Sequence, residues 1–213
     1  MAHWRYPVQG RGATHSQDGS GGDAPKIQKL LQAAQDAYMQ QEYDKTLVVL
    51  ERLHTAGAKE PGDESDGGPS LLGRQVDRLE AAVLLQQERL AEAEAACQKL
   101  LAKDPTSADA HFLMGMVERH QGRMAAAVRS LRQAIYFQPS HRDAHYYLAE
   151  TYRVLGLRDR ARREYENALN ALRMAVPEGT GNATPPALSL SGLEDNMLRQ
   201  ACEAGLRRLE HGR

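Results

Sequence analysis

An all-α fold of stacked helix pairs is predicted by three observations. The first is a self-similarity at an offset of 34 residues. Aligning 108–141 with 142–175 makes identical pairs of Asp109/Asp143, Ala110/Ala144, His111/His145, Arg119/Arg153, Gly122/Gly156, Ala127/Ala161, Arg129/Arg163 and Ala134/Ala168. A period of this size is one helical hairpin, which cannot bury its apolar face alone and must stack on a neighbour. The second is composition: only 5% of residues are aromatic, and Ala, Leu, Gln, Glu and Arg favour helix packed on helix. The third is punctuation, because Gly- and Pro-rich zones separate the helical stretches and leave hairpins between them.

Residues 1–25 hold five glycines and the only tryptophan, Trp4, without apolar periodicity, so a disordered tail is expected. A first repeat is read at 27–60, with Ala34, Leu50 and Leu53 in place, Thr46 where the later repeats have Ala, and Gln41 where they have the turn glycine. An acidic loop rich in Gly and Pro follows at 56–70. The repeat at 74–107 keeps Ala81, Ala93, Leu100 and Pro105, with Cys97 filling the gap between helices and Glu88 at the turn position.

The repeats 108–141 and 142–175 are the clearest. Gly115 or Ala149 is small where two antiparallel helices cross, and Gly122 or Gly156 turns the chain. Ala127 and Ala161 allow close approach, Leu131 and Tyr165 fill the interhelix gap, and Pro139 closes a unit. A linker is expected at 176–190. A last helix at 191–211 opens on the capping box Ser191-Gly-Leu-Glu194 and places Leu198, Ala201, Cys202, Gly205 and Leu209 at helical spacing. It should cap the array, whose final apolar face otherwise meets water.

The small-residue, turn and proline positions resemble those of the tetratricopeptide repeat. That resemblance implies a right-handed superhelical solenoid of about four helix pairs plus the capping helix. It also implies a concave groove lined by the first helix of each pair, here Gln35, Arg78, Ala82, Phe112, Met116, Arg119, Tyr146, Tyr147, Glu150 and Arg153. Tyr, Met and Arg offer large adaptable contact area, and Arg119 and Arg153, one repeat apart, suit carboxylates on an extended or helical peptide. The lysine and asparagine clamp of chaperone-docking members is absent, since Phe112, Met116, Tyr146 and Glu150 stand in its places. A peptide's terminal carboxylate is therefore disfavoured as ligand.

The stretch from Gly122 to Gly156, with LRQAIYFQP before its second unit, resembles the repeats appended to CheR-type chemoreceptor methyltransferases. The tail LSLSGLEDNMLRQACEAGLRRL is similar to the helical end of those chains. The resemblance implies a protein-protein interaction adaptor in a chemosensory complex, with a chemoreceptor or methyltransferase component as partner. No glycine-rich S-adenosylmethionine loop is present, so methyl transfer is not expected of this sequence alone. The alternative is a secretion chaperone or an assembly scaffold for cell-envelope machinery.

Other chemistry is not expected. The sequence holds no G-x-G-x-x-G after a strand, no phosphate loop, no G-x-S-x-G and no H-E-x-x-H, so neither catalytic residues nor cofactor are assigned. His141 and His145 stand at i, i+4, a spacing that suits a metal ion, but His145 and His111 share a repeat position at which helix packing explains both, and no metal is expected. Cys97 and Cys202 lack C-x-x-C spacing and read as reduced core thiols. A net charge of −1 gives no bulk attraction to nucleic acid or anionic membrane. From 108 to 175 eleven arginines face seven acids, a local excess of +4, without the aromatic series of a nucleic-acid platform. With no run of 18 apolar residues and no apolar leader, a cytoplasmic location is expected.

Overall fold

The computed structural model describes residues 24–57, 71–174 and 194–211. Among these residues nine helices and no strand occur: α1 (Ala24–Met39), α2 (Tyr43–Gly57), α3 (Leu71–Gln86), α4 (Leu90–Lys103), α5 (Ala108–His120), α6 (Met124–Phe137), α7 (Arg142–Val154), α8 (Arg158–Met174) and α9 (Asp195–His211). Four helix pairs and a final helix make an all-α repeat fold. Trp4, most of the acidic loop, the 176–190 linker and the Ser191 end of the capping box lie outside the described residues. Helix α1 begins two residues inside the expected tail, because Pro25 in a first turn forfeits only an N–H that would lack an intrahelical partner anyway. Helix α2 likewise runs on through Ala56 and Gly57.

One backbone device makes all four hairpins. Gln41, Glu88, Gly122 and Gly156 carry φ of 60°, 58°, 76° and 75°. The next N–H reaches back five residues each time, Glu42 to Ala37 O (2.9 Å), Arg89 to Leu84 O (3.0 Å), Arg123 to Glu118 O (2.8 Å) and Leu157 to Tyr152 O (2.9 Å). This is a Schellman ending, which satisfies orphan carbonyls through one left-handed residue. Gln41 and Glu88 hold that conformation against their own side chains, at a cost of about 1 kcal/mol. Glu88→Gly is expected to raise stability by about 0.5 to 1 kcal/mol, read as a melting temperature a few degrees higher. A lower melting temperature would show that the Glu88 side chain outweighs its backbone strain.

The joints between pairs also repeat. His111 Nε2 donates to Pro105 O and His145 Nε2 to Pro139 O, both at 2.9 Å, so the shared histidine ties each inner helix to the proline carbonyl before it. Ser107 Oγ accepts from Ala110 N at 3.3 Å. One repeat later His141 Nδ1 takes that capping role, accepting from Ala144 N at 3.2 Å. His141 and His145 therefore stabilise a helix start rather than aim lone pairs at a common ion.

The core sits between the helices of each pair and between pairs. Leu50, Cys97, Leu131 and Tyr165 occupy the gap-filling position and are almost wholly buried. A Cβ on Gly115 would lie 2.8 Å from Leu131 Cγ, which is why the smallest residue stands at that crossing. Thr46 replaces the expected Ala without a polar debt, its Oγ1 donating to Glu42 O at 3.0 Å.

Curvature follows from which helices meet. The odd-numbered helices touch in succession, α1 with α3, α3 with α5, α5 with α7 and α7 with α9, whereas no two even-numbered helices touch. The odd helices form the tighter inner layer and the even helices splay outward. Helix α9 packs on both α7 and α8, taking the place of the first helix of a fifth pair.

Candidate partner-binding groove

The inner layer places the ten sequence-selected residues on four successive odd helices, but not all at the surface. Ala82 and Phe112 are wholly buried and Met116 is 7% exposed. They cannot line a surface as expected, because neighbouring inner helices close over them; they form the groove's supporting wall. Gln35, Arg78, Arg119, Tyr146, Tyr147, Glu150 and Arg153 are half-buried.

Two clusters organise these residues. In the first, Arg78 of α3 pairs with Asp109 of α5 through Nη1 and Oδ2. His141, at the start of α7, brings Nε2 to 3.3 Å from Asp109 Oδ1. Because His141 Nδ1 accepts from a backbone N–H, the ring proton is assigned to Nε2, which faces the carboxylate. Burial pushes the Asp109 carboxyl up, but His141 and Arg78 more than offset it and hold its pKa at about 2. Arg78 is thus committed to joining three inner helices and is not free for a ligand.

The second cluster centres on Tyr147. Its ring lies 5.9 Å from Phe112 and 4.9 Å, edge-on, from Tyr146. The Arg119 guanidinium sits over it, Cζ 5.1 Å from the centroid, a cation–π arrangement. Arg153 donates to Glu150 Oε2 from Nη2 at 2.8 Å and from Nε at 3.1 Å, and the Tyr165 hydroxyl donates to Oε1. Burial raises the Glu150 carboxyl, and those hydrogen bonds bring it below its ordinary value.

Arg119 and Arg153, equivalent in sequence, therefore differ in availability. Arg153 finds its carboxylate within its own helix. Arg119 forms no ion pair among the described residues, and its Nε is buried without a hydrogen-bond partner. Burial lowers its pKa, with the Glu150 charge opposing that shift from a distance, so the guanidinium is partly dehydrated without a carboxylate in direct contact.

Metal chemistry finds little support among the described residues. His54, Asp77 and Glu80 come together on α2 and α3. However, Lys103 and Lys99 both reach the Asp77 carboxylate, and two ammonium groups already supply the positive charge an ion would bring. Burial raises the thiol pKa of Cys97 and of Cys202 to about 12, so neither is a nucleophile at neutral pH. No described helix is long and apolar enough to cross a membrane.

Sequence reasoning missed Asp109, His141 and Tyr165 as organisers of the groove. Asp109 carried a signal as one of the repeated identities. Tyr165 was assigned to gap filling alone, which left its hydroxyl unaccounted for.

Fold and groove together define a class, a helical-hairpin solenoid with an inner polar and aromatic face. The sequence model of the tetratricopeptide repeat matches residues 78–140, so the central hairpins are similar to tetratricopeptide repeats. Among solved structures, a thermophilic TPR protein of Thermus thermophilus superposes with a TM-score of 0.56 at 19% identity, over 68% of this chain and 74% of that one. MamA of Desulfovibrio magneticus RS-1 gives 0.52 at 14% identity, over 71% and 78%. An O-GlcNAc transferase of Thermobaculum terrenum gives 0.57 at 17% identity, over 71% of this chain but 27% of that one. These likenesses show the fold. No curated protein matches the sequence.

Proposed function

We propose that the chain is a protein-protein interaction adaptor that takes a peptide or helix of a partner protein in its concave groove. The observation that carries this reading is Arg119, a partly dehydrated guanidinium without a direct ion pair among the described residues, beside the exposed parts of Tyr146 and Tyr147. Such a group is costly to keep unpaired, and an acidic side chain of a docked segment completes it. The adjoining tyrosines supply contact area at small entropic cost.

The partner is placed in a chemosensory signalling complex, as a chemoreceptor or receptor methyltransferase component. Support for this comes from the Gly122–Gly156 stretch and the final helix, which resemble the repeats appended to CheR-type enzymes. In this reading methyl transfer belongs to the partner, and the chain supplies docking alone.

The test is affinity capture from native lysate with partners identified by mass spectrometry, comparing wild type with an Arg119→Ala, Tyr146→Ala double variant of unchanged helicity. Receptor or methyltransferase components held by the wild type and lost from the variant are the expected result. Equal capture by both would place binding outside the groove, and capture of secretion or envelope proteins instead would favour a chaperone or scaffold.

A further inference from the structure

We propose that the tip of the fourth helix pair is a second docking site, taking an acidic segment of a partner protein that carries aliphatic side chains among its carboxylates. This proposal stands apart from the groove reading.

The four hairpin turns share one backbone, so each controls for the others. At the two positions before and the one after the left-handed residue, the first turn carries Met39, Gln40 and Glu42, the second Gln86, Gln87 and Arg89, and the third His120, Gln121 and Arg123. The fourth carries Val154, Leu155 and Leu157, exposed by 54%, 44% and 39%. The polar occupants of the second and third turns show that the turn itself does not need aliphatic residues. Three exposed aliphatic side chains at one tip therefore call for a partner.

Beside this tip the surface is concave. A cavity of about 730 Å³ is lined by Leu157, Arg158, Arg160, Arg162, Arg163 and Leu209. Arg158 Nη2 donates to Leu209 O, fixing the end of α9 as one wall. Arg160 lies over the Tyr152 ring at 5.9 Å, and Arg163 Nε donates to Asp159 O at 3.3 Å. None of Arg160, Arg162 and Arg163 forms an ion pair among the described residues. Two acids, Asp159 and Glu210, stand at the rim beside Arg160, Arg162 and Arg163. The nearby Glu164 is turned to His145, its Oε2 2.7 Å from Nδ1. Arginine-rich charge around an aliphatic edge is complementary to acidic residues spaced by leucine or valine. The concavity fits a protruding chain segment better than a flat lipid surface.

The test uses the full chain and a fluorescein-labelled peptide repeating Glu-Glu-Leu, read by fluorescence anisotropy, with an all-Glu peptide of equal length and phosphatidylserine vesicles as further probes. Arg162→Glu with Arg163→Glu is expected to weaken Glu-Glu-Leu binding by about tenfold or more. Val154→Gln with Leu155→Gln installs the residues of the second turn, so the fold is kept. It is expected to reduce Glu-Glu-Leu binding to the level of the all-Glu peptide. The groove variant Arg119→Ala, Tyr146→Ala should bind this probe as wild type does. No binding to wild type at millimolar peptide, equal binding by the tip variants, or binding to vesicles but not to peptide each overturns the proposal. Loss of binding in the groove variant would assign the peptide to the groove instead.

Discussion

Gly205→Val is expected to cost about 3 kcal/mol or more and to free the last helix from the array. A Cβ at position 205 would stand 2.7 Å from both Tyr165 Cε1 and Oη. Tyr165 cannot step aside, because it is wholly buried between α7, α8 and α9 and its hydroxyl is bound to Glu150. The added methyl groups must therefore push α9 outward. That exposes Leu198, Cys202 and Leu209, all buried beneath it, along with the apolar faces of α7 and α8. The expected record is a melting temperature lowered by several degrees, faster proteolysis within α9, and alkylation of Cys202 under conditions that spare it in the wild type. Tyr165→Ala removes the obstructing ring, so the double variant should cost less than the sum of the two single changes. An unchanged melting temperature for Gly205→Val would mean that α9 docks without close contact to Tyr165.

Asp109→Asn should destabilise the chain by about 2 kcal/mol at neutral pH and remove part of its acid sensitivity. The Asp109 pKa falls from an ordinary 3.8 to about 2 in the fold. A carboxyl with a depressed folded pKa adds stability above its unfolded value and loses it as pH falls through the folded one. The contribution is thus complete above about pH 4 and disappears towards pH 2, and near two pKa units are worth about 2 kcal/mol. Asparagine keeps the shape but leaves the Arg78 guanidinium without a counter-charge and the His141 Nε2–H without its carboxylate. Denaturant unfolding of both proteins between pH 7 and pH 2 checks this: the difference should be largest at neutral pH and narrow on acidification. A difference independent of pH would assign the effect to packing alone.

The repeat was legible because its signals are local. The left-handed turn at Glu88 and Gln41 could be placed by offset from Gly122 although neither residue favours it, since a shared backbone overrode the side chain's preference. The small residue at each crossing and the gap filler opposite it were read the same way. The groove surface was only partly legible. Periodicity says which helices lie inside, but an inner helix touches its pair partner and both inner neighbours, so Ala82 and Phe112 are covered by contacts a single hairpin does not contain. The divergence of Arg119 from Arg153 was hidden because it depends on Glu150, which feels the charge of both, giving its hydrogen bonds to Arg153 alone. The Arg78–Asp109 pair joins neighbouring repeats, and repetition alone assigns no partner of that kind.

The final helix carries a consequence for how the array ends. Helix α9 occupies the seat of a fifth pair's first helix but joins α8 only through the segment 175–194, so its docking is an intramolecular association. A covalent connection presents the helix to its seat at an effective concentration that does not depend on how much protein is present. The same helix supplied as a separate peptide must exceed that level to displace it. The array's last face is therefore kept closed by tethering as well as by contact, and cutting the tether would turn a permanent end into an exchangeable one.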